Sequence, residues 1–257
     1  MCALRSRPFP LALTPDDLRF LRSVADDTED APWMVMNDRQ WRDASALFWS
    51  LETYAQTHRV PWHPGGMLPL TYPVPGEPER KTVAPDVFAA TVPVRGRASL
   101  PVDEEGMPPF VLEVVSSSSV RRDLEEKTEI YRLLGAQEYA VVRLDLAEPR
   151  LEVYRRGVTG AWDAWAPDAQ GRLWSAVLGL GLVLRGGEVR AVTRAGELLL
   201  TQPETEAARQ AEAEAHARAE EARQAAVQAQ QQAEAEAARL RAALERLTRG
   251  GDDVPTS

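Results

Sequence analysis

Three residues combine type and setting in a way that could do chemistry: Asp86, Glu113 and Lys127. Glu113 interrupts the apolar run Phe110-Val111-Leu112-Glu113-Val114-Val115. A strand apolar on both faces is expected to be central and buried. A carboxylate inside it costs on the order of several kcal/mol unless it is paired or binds metal. The bland alternatives are an arginine partner, or an edge strand that turns the acid to water. Asp86 interrupts Val83-Ala84-Pro85-Asp86-Val87-Phe88 near its start, although Pro-Asp is also a common turn pair. Lys127 falls near the middle of the stripe formed by Leu124, Ile130, Tyr131 and Leu134 at ~100° per residue. A lysine there must reach a carboxylate, a site or water, unless it snorkels to the surface. The chain has 28 Arg and only two Lys, Lys81 and Lys127. Where arginine serves nearly everywhere, a retained lysine suggests a need for a compact ammonium, though with two instances chance also explains it.

Two carboxylates on neighbouring strands supply hard oxygen ligands, which suit Mg²⁺ with water in the remaining positions. Mn²⁺ would substitute. Such a metal makes hydroxide available near neutral pH and stabilises a phosphoryl centre. A nearby ammonium can orient the water or neutralise developing charge.

The elements that must position these residues follow from periodicity. Helices are expected at 15–25 and 38–58, the latter with Ala44, Leu47, Phe48, Leu51 and Tyr54 at 3–4 spacing. Asp123 and Glu126 have the spacing of a capping box, which would start a helix at Leu124, and Gly135 would stop it. Strands are expected at 33–36, 67–74, 83–91, 110–115, 138–144, 150–155, 173–177 and 182–184, with a turn at 61–66. That order argues for an α/β fold, a mixed sheet flanked by helices.

Composition sets the class. The chain has 257 residues, 44% hydrophobic and 27% charged, with a net charge of −9. A wholesale basic coat for gripping nucleic acid is excluded, but a local basic patch is not. The single cysteine, Cys2, permits neither a disulfide framework nor a cysteine zinc cluster. The start has no apolar signal-like core, and the longest apolar run is far short of the ~20 residues of a bilayer span. A cytoplasmic protein with no membrane partner is expected. From Glu204 to Leu247 the chain has no Gly or Pro and is almost all Ala, Glu, Gln and Arg, strong helix formers. Its few large apolar residues leave a solvated helix and a weak coiled coil that pairs two copies both open. The expected organisation is a globular domain at 1–200, a long helix at 204–248 and a frayed tail at 249–257.

Residues 83–145 resemble a bacterial family of endonucleases within the PD-(D/E)XK restriction-endonuclease-like superfamily, long catalogued as a domain of unknown function. The resemblance rests on Ala84-Pro85-Asp86-Val87-Phe88, on Phe110-Val111-Leu112-Glu113-Val114-Val115-Ser116, on Arg122-Asp123-Leu124-Glu125-Glu126-Lys127 with Tyr131 one turn on, and on Gly135-Ala136-Gln137-Glu138-Tyr139. It implies that Asp86 and Glu113 ligate Mg²⁺, with the Val115 backbone carbonyl as a candidate third ligand. The parent superfamily carries its lysine at the position of Val115; in this family it is thought to have moved to the following helix, which gives Lys127. Ser116-Ser117-Ser118-Ser119 stands where the family often has Ser-Pro, and Ala140 and Arg143 replace its usual Trp and Asp.

The chain lacks the phosphate-binding loop, the dinucleotide fingerprint and the nucleophile elbow. Arg95, Arg97, Arg121 and Arg122 could draw a phosphodiester toward the acids, or equally form a solvated face. The expectation is a Mg²⁺-dependent endonuclease acting on nucleic acid, with DNA favoured. Asp86 and Glu113 hold the metal and Lys127 positions or activates the attacking water. The alternatives are hydrolysis of another phosphate ester, or an inactive scaffold whose acids merely pair with Lys127 while the C-terminal helix dimerises or recruits partners.

Overall fold

The computed structural model describes residues 13–27 and 38–250, with side chains up to 245. Cys2, the expected strand at 33–36 and the last seven residues of the expected tail lie outside the described residues.

In chain order the elements are α1 (Pro15–Ser23), α2 (Asp38–Thr57), β1 (His63–Gly65), β2 (Leu70–Pro73), β3 (Arg80–Val83), β4 (Val87–Ala90), β5 (Leu100–Pro101), α3 (Val102–Glu105) and β6 (Phe110–Val115). A π-helical turn (Arg122–Lys127) then runs into α4 (Thr128–Leu134). It is followed by β7 (Glu138–Arg143), β8 (Arg150–Arg156), β9 (Trp162–Ala164), β10 (Leu173–Ser175), β11 (Leu180–Arg185), β12 (Glu188–Val192) and α5 (Gln202–Gly250). The main sheet has the order β1-β4-β6-β7-β8-β9, and two three-stranded sheets, β10-β11-β12 and β3-β2-β5, accompany it. Only β6 and β7 pair in parallel within the main sheet; its other pairs are antiparallel. A parallel pair needs a crossover, and α4 supplies it. Gly135 ends α4 in the left-handed region (φ 98°), with its N–H and that of Ala136 closing on the Tyr131 carbonyl, the helix stop for which glycine is favoured.

Strand alternation assigns the faces. Phe110, Leu112 and Val114 pack with Ala44, Leu47 and Leu51 of α2 and with Leu180 and Leu182. Val111 and Val115 pack on the other face with Ile130, Tyr131 and Leu134 of α4. Glu113 has the parity of Val111 and Val115, so it points toward α4. The fold is the expected mixed α/β arrangement, with helices on both faces of the sheet and a long C-terminal helix.

Three local expectations are corrected. The segment at 61–66 is not wholly a turn: His63–Gly65 forms β1 against β4. A Cβ on Gly65 would lie 2.2 Å from Phe88 Cζ, so this glycine marks a close strand approach rather than a turn. The strand expected at 83–91 is broken between Val83 and Val87. Pro85 has no N–H to give a ladder, and the Ala84 N–H goes to Asp27 Oδ2 (2.9 Å). The capping box at Asp123 and Glu126 does not form. The helix has already begun there, since the Asp123 N–H bonds the Ser119 carbonyl (2.9 Å). Both carboxylates are drawn instead to buried cations, Asp123 to Lys127 (3.4 Å) and Glu126 to Arg122 (2.8 Å).

The chain divides into two compact units, 1–202 and 203–257. In the second, α5 is helical over 49 residues, about 74 Å at ~1.5 Å per residue. Its side chains are exposed over nearly all of its described length. Among the described residues no helix is long and apolar enough to cross a membrane.

Candidate active site

β6 is buried along its whole length, and Glu113 is fully buried within it. Its charge is met from α4 and the turn before it. Lys127 Nζ donates to Glu113 Oε2 (3.1 Å), and the Tyr131 hydroxyl donates to Oε1. Lys127 is itself 5% exposed. It also donates to the Ala84 carbonyl (3.1 Å) and lies 3.4 Å from Asp123 Oδ1 and 3.8 Å from Asp27 Oδ2. Three carboxylates and one carbonyl thus surround a single ammonium. Burial alone would lower the Lys127 pKa, but Glu113, Asp123, Asp27 and Asp86 together outweigh it and the net shift is upward. The ammonium therefore stays charged across the neutral range, and its role is to donate hydrogen bonds rather than to accept a proton.

Asp86 lies one register step beyond the last β4–β6 pair, Val87↔Leu112, which places it opposite Glu113. The ladder ends there, so Val114 must satisfy its backbone groups elsewhere. Its N–H donates to Asp86 Oδ2 (2.6 Å), and its carbonyl accepts from Gln40 Nε2 of α2 (2.8 Å). Two side chains stand in for a missing strand beside Asp86. Asp86 is half-buried. Burial pushes its pKa up to about 6, against the pull of Lys127 and the Val114 N–H. Glu113 is raised well above the usual carboxylate range by burial, opposed by Lys127 and reinforced by Asp86 and Asp123. Burial raises both carboxyls, and Asp86 and Asp123 add to the shift of Glu113, so added positive charge would relieve the site.

The structure brings Asp86, Glu113 and Lys127 together. It turns the Val115 carbonyl the other way, toward β7, where it accepts the Leu144 N–H (3.0 Å). Among the described residues no group of three or more His, Cys, Asp or Glu side chains could hold a metal ion. The two carboxylates are hard oxygen donors of the kind Mg²⁺ or Mn²⁺ takes; both Glu113 oxygens already accept from Lys127 and Tyr131, and Asp86 Oδ2 accepts from the Val114 N–H.

Of the four arginines considered from sequence, Arg122 is buried and committed. Its Nη2 bonds Asp27 Oδ1 and the Ala25 carbonyl (both 2.9 Å), and Nη1 bonds Glu126 (2.8 Å). Arg97 pairs with Glu105, and Arg121 lies 3.5 Å from Glu126. Arg95 is exposed and makes no ion pair among the described residues. The serine run makes the bend between β6 and the helix, with the Ser116 N–H donating to Ser119 Oγ (3.1 Å).

Sequence reasoning missed Asp27, Gln40 and the ionic role of Asp123. Asp27 sits in an acidic run, Asp26-Asp27-Thr28-Glu29-Asp30, that reads as solvated. Nothing in that run marks the one acid that is 4% exposed. Gln40 sits one turn before Ala44 on the apolar face of α2, and that position is the one signal that could have found it.

The fold is a mixed α/β sheet flanked by helices, with Asp86, Glu113 and Lys127 brought together where β4 and β6 part. The model of the family described as "Uma2: Putative restriction endonuclease" matches residues 33–187, more than half of the chain, and the chain belongs to that family. Comparison with curated proteins gives no match. Among solved structures, one from Anabaena variabilis described as "a putative nuclease belonging to DUF820" is similar at 14% identity and a TM-score of 0.39, over 52% of this chain and 72% of that one. At that score the likeness adds no weight to the assignment, which rests on the family match. The family supports a nuclease function and a nucleic-acid substrate.

Proposed function

We propose that the protein is a Mg²⁺-dependent endonuclease that hydrolyses phosphodiester bonds in DNA. The observation that supports this reading is the placing of Asp86 opposite Glu113, one step beyond the last β4–β6 pair, with Lys127 bonded to Glu113. The two carboxylates would hold the ion. The Val115 carbonyl, committed to Leu144, is left out of that set. When bound, the ion supplies a hydroxide-generating, phosphate-neutralising charge. Lys127 fixes Glu113 and keeps its own proton, so its contribution is a positive charge held beside the scissile phosphate. Tyr131 orients the second Glu113 oxygen, and Gln40 and Asp86 lock the Val114 backbone beside it.

The test is cleavage of supercoiled and linear DNA, with RNA in parallel, with Mg²⁺ or Mn²⁺ and with chelator. Cleavage that Asp86→Asn and Glu113→Gln each abolish is expected. Equal cleavage by Glu113→Gln would overturn the assignment.

A second reading has its own observation. Lys127 bonds Glu113 directly, so the cluster neutralises itself and would serve a scaffold that does no chemistry. On that reading divalent metal changes nothing. The exposed Leu240 and Leu244 of α5 suit association with a second copy under either reading, which sedimentation of the full chain tests.

A further inference from the structure

The loop that touches Asp86 also forms one wall of an open groove. A Cβ on Gly66 would lie 3.0 Å from the Asp86 carbonyl oxygen and 3.6 Å from the Phe48 ring, so Gly66 joins the candidate site to α2. The next residue, Met67, is the only non-glycine residue with positive φ (53°) among the described residues, and its N–H holds the Pro85 carbonyl (2.9 Å). Strain of this kind persists where the surroundings over-determine it. Beyond Gly66 the groove has a volume of about 320 Å³ and is lined by Phe48, Trp49, Glu52, Arg95 and Arg97 among others. A second hollow of about 210 Å³ shares Glu52 and Arg95 and extends it.

Two of these groups stand out. Trp49 is 43% exposed, with its ring edge-on to Phe48 at 5.1 Å between centroids. Trp41 and Trp165 are comparably exposed (55% and 41%), so what singles out Trp49 is that it lines the groove next to Gly66 together with Arg95. Arg95, exposed on the same groove, has no acid partner among the described residues, whereas Arg97 is tied to Glu105. An open indole and an exposed guanidinium on the lining of one groove offer a π-face and a cation. Those are the two contacts a nucleotide makes, through its base and its phosphate. A duplex hides its base faces within the stack, so only an unpaired strand can use the indole.

We propose that this groove binds an unpaired nucleic-acid strand, with a base stacked on Trp49 and the adjoining phosphate on Arg95, and leads it to the Asp86–Glu113 edge. The proposal deepens the nuclease reading and rests on it for the direction of travel. Glu52 is the one acid on this wall and opposes phosphate, which makes it a useful probe.

The test measures anisotropy of a labelled oligothymidine of about 20 nucleotides with the full-length protein in chelator, so that no cleavage intervenes. Binding at least about ten-fold tighter than to the matching duplex is expected. Trp49→Ala and Arg95→Glu should each weaken it about ten-fold, a typical effect for one stacked base. Glu52→Gln should tighten it, and Arg185→Glu, on the exposed β11–β12 hairpin, should leave it unchanged. Circular dichroism confirms that each variant is folded. No binding by the folded wild type, equal binding of duplex, or indifference to both Trp49→Ala and Arg95→Glu would overturn the proposal. The two readings fail separately. Metal-dependent cutting that Trp49→Ala leaves intact removes the groove and keeps the nuclease. Groove-dependent binding with no cutting under any metal removes the nuclease and keeps a single-strand surface.

Discussion

Lys127 Nζ stands 3.1 Å from Glu113 Oε2, with both side chains almost wholly removed from water. Neither charge is tenable alone at that depth. Glu113 sits in an otherwise apolar strand, and Lys127 sits on the apolar face of the helix packed over it. The pair is therefore structural as well as chemically suggestive, and its two aspects can be separated by choice of substitution.

Lys127→Met leaves Glu113, Asp123 and Asp27 crowded around an apolar chain. A loss of about 3–5 kcal/mol is expected, the usual cost of breaking a buried pair from one side. Glu113→Gln keeps one acceptor oxygen for Lys127 and turns an amide donor to the Tyr131 hydroxyl, which can rotate to accept it, and Lys127 keeps Asp123 and Asp27, so a loss of about 1 kcal/mol is expected. Denaturant unfolding of both, and of the double variant, checks this. The double variant should be more stable than Lys127→Met alone; equal stability would show that the two charges do not interact.

Arg122 anchors the segment before residue 28. Its guanidinium bridges Asp27, Ala25 and Glu126 from a position 5% exposed. Arg122→Lys cannot reproduce that fork, and a loss of about 2–4 kcal/mol is expected. Hydrogen exchange should then show early opening at Asp27 and at Thr82, the residue whose carbonyl the Asp27 N–H bonds (3.1 Å). Unchanged protection there would contradict the anchoring role.

How far the sequence carries the structure can be read at particular residues. Strand β6 was legible in full, because six buried residues in a row leave no other assignment. The burial of Glu113 and Lys127 followed from the same pattern. Strand β12 went unread because Glu188-Val189-Arg190-Ala191-Val192 alternates over only five residues and follows two glycines. Strand β1 went unread because Pro64 and Gly65 carry turn chemistry locally, while their strand role depends on Phe88, distant in sequence. The π-helical turn has no sequence signature. Its widened geometry leaves the Asp123 carbonyl to the Thr128 and Tyr139 hydroxyls (3.0 and 2.8 Å), and the second contact exists only once β7 is in place. Asp27 was hidden for the same reason, since Arg122, Lys127, Ala84 and Thr82, its partners among the described residues, are all distant in sequence.

Asp43 gives a pH signature away from the site. It is 2% exposed on α2, and its Oδ2 has no hydrogen-bond partner among the described residues. Burial pushes its pKa up to about 6, with Glu188 adding to the shift and Arg39 and Arg42 opposing it. A carboxyl whose folded pKa lies above its unfolded value binds its proton more tightly when folded. Its contribution to stability therefore falls as pH rises from about 4 to 6 and stays lost above that. Asp43→Asn should raise stability by on the order of 1–2 kcal/mol at pH 7.5, with the gain vanishing by pH 4. Thermal unfolding at the two pH values checks this; a gain independent of pH would contradict it.

Gly65 tests the strand that sequence reading took for a turn. With a Cβ 2.2 Å from Phe88 Cζ, Gly65→Ala must displace a buried ring. A loss of about 1–3 kcal/mol is expected. Gly65→Ala with Phe88→Leu should recover part of it, and no recovery would place the strain elsewhere.

The central claim is that Asp86 and Glu113 form a divalent metal site. The most direct measurement is calorimetric titration of Mn²⁺ and Mg²⁺ into the full-length protein and into Glu113→Gln, with circular dichroism showing both to be folded. The account predicts binding by the wild type that Glu113→Gln abolishes while its fold is kept. A folded wild type that takes up neither ion, or a Glu113→Gln variant that binds as tightly as the wild type, would contradict it.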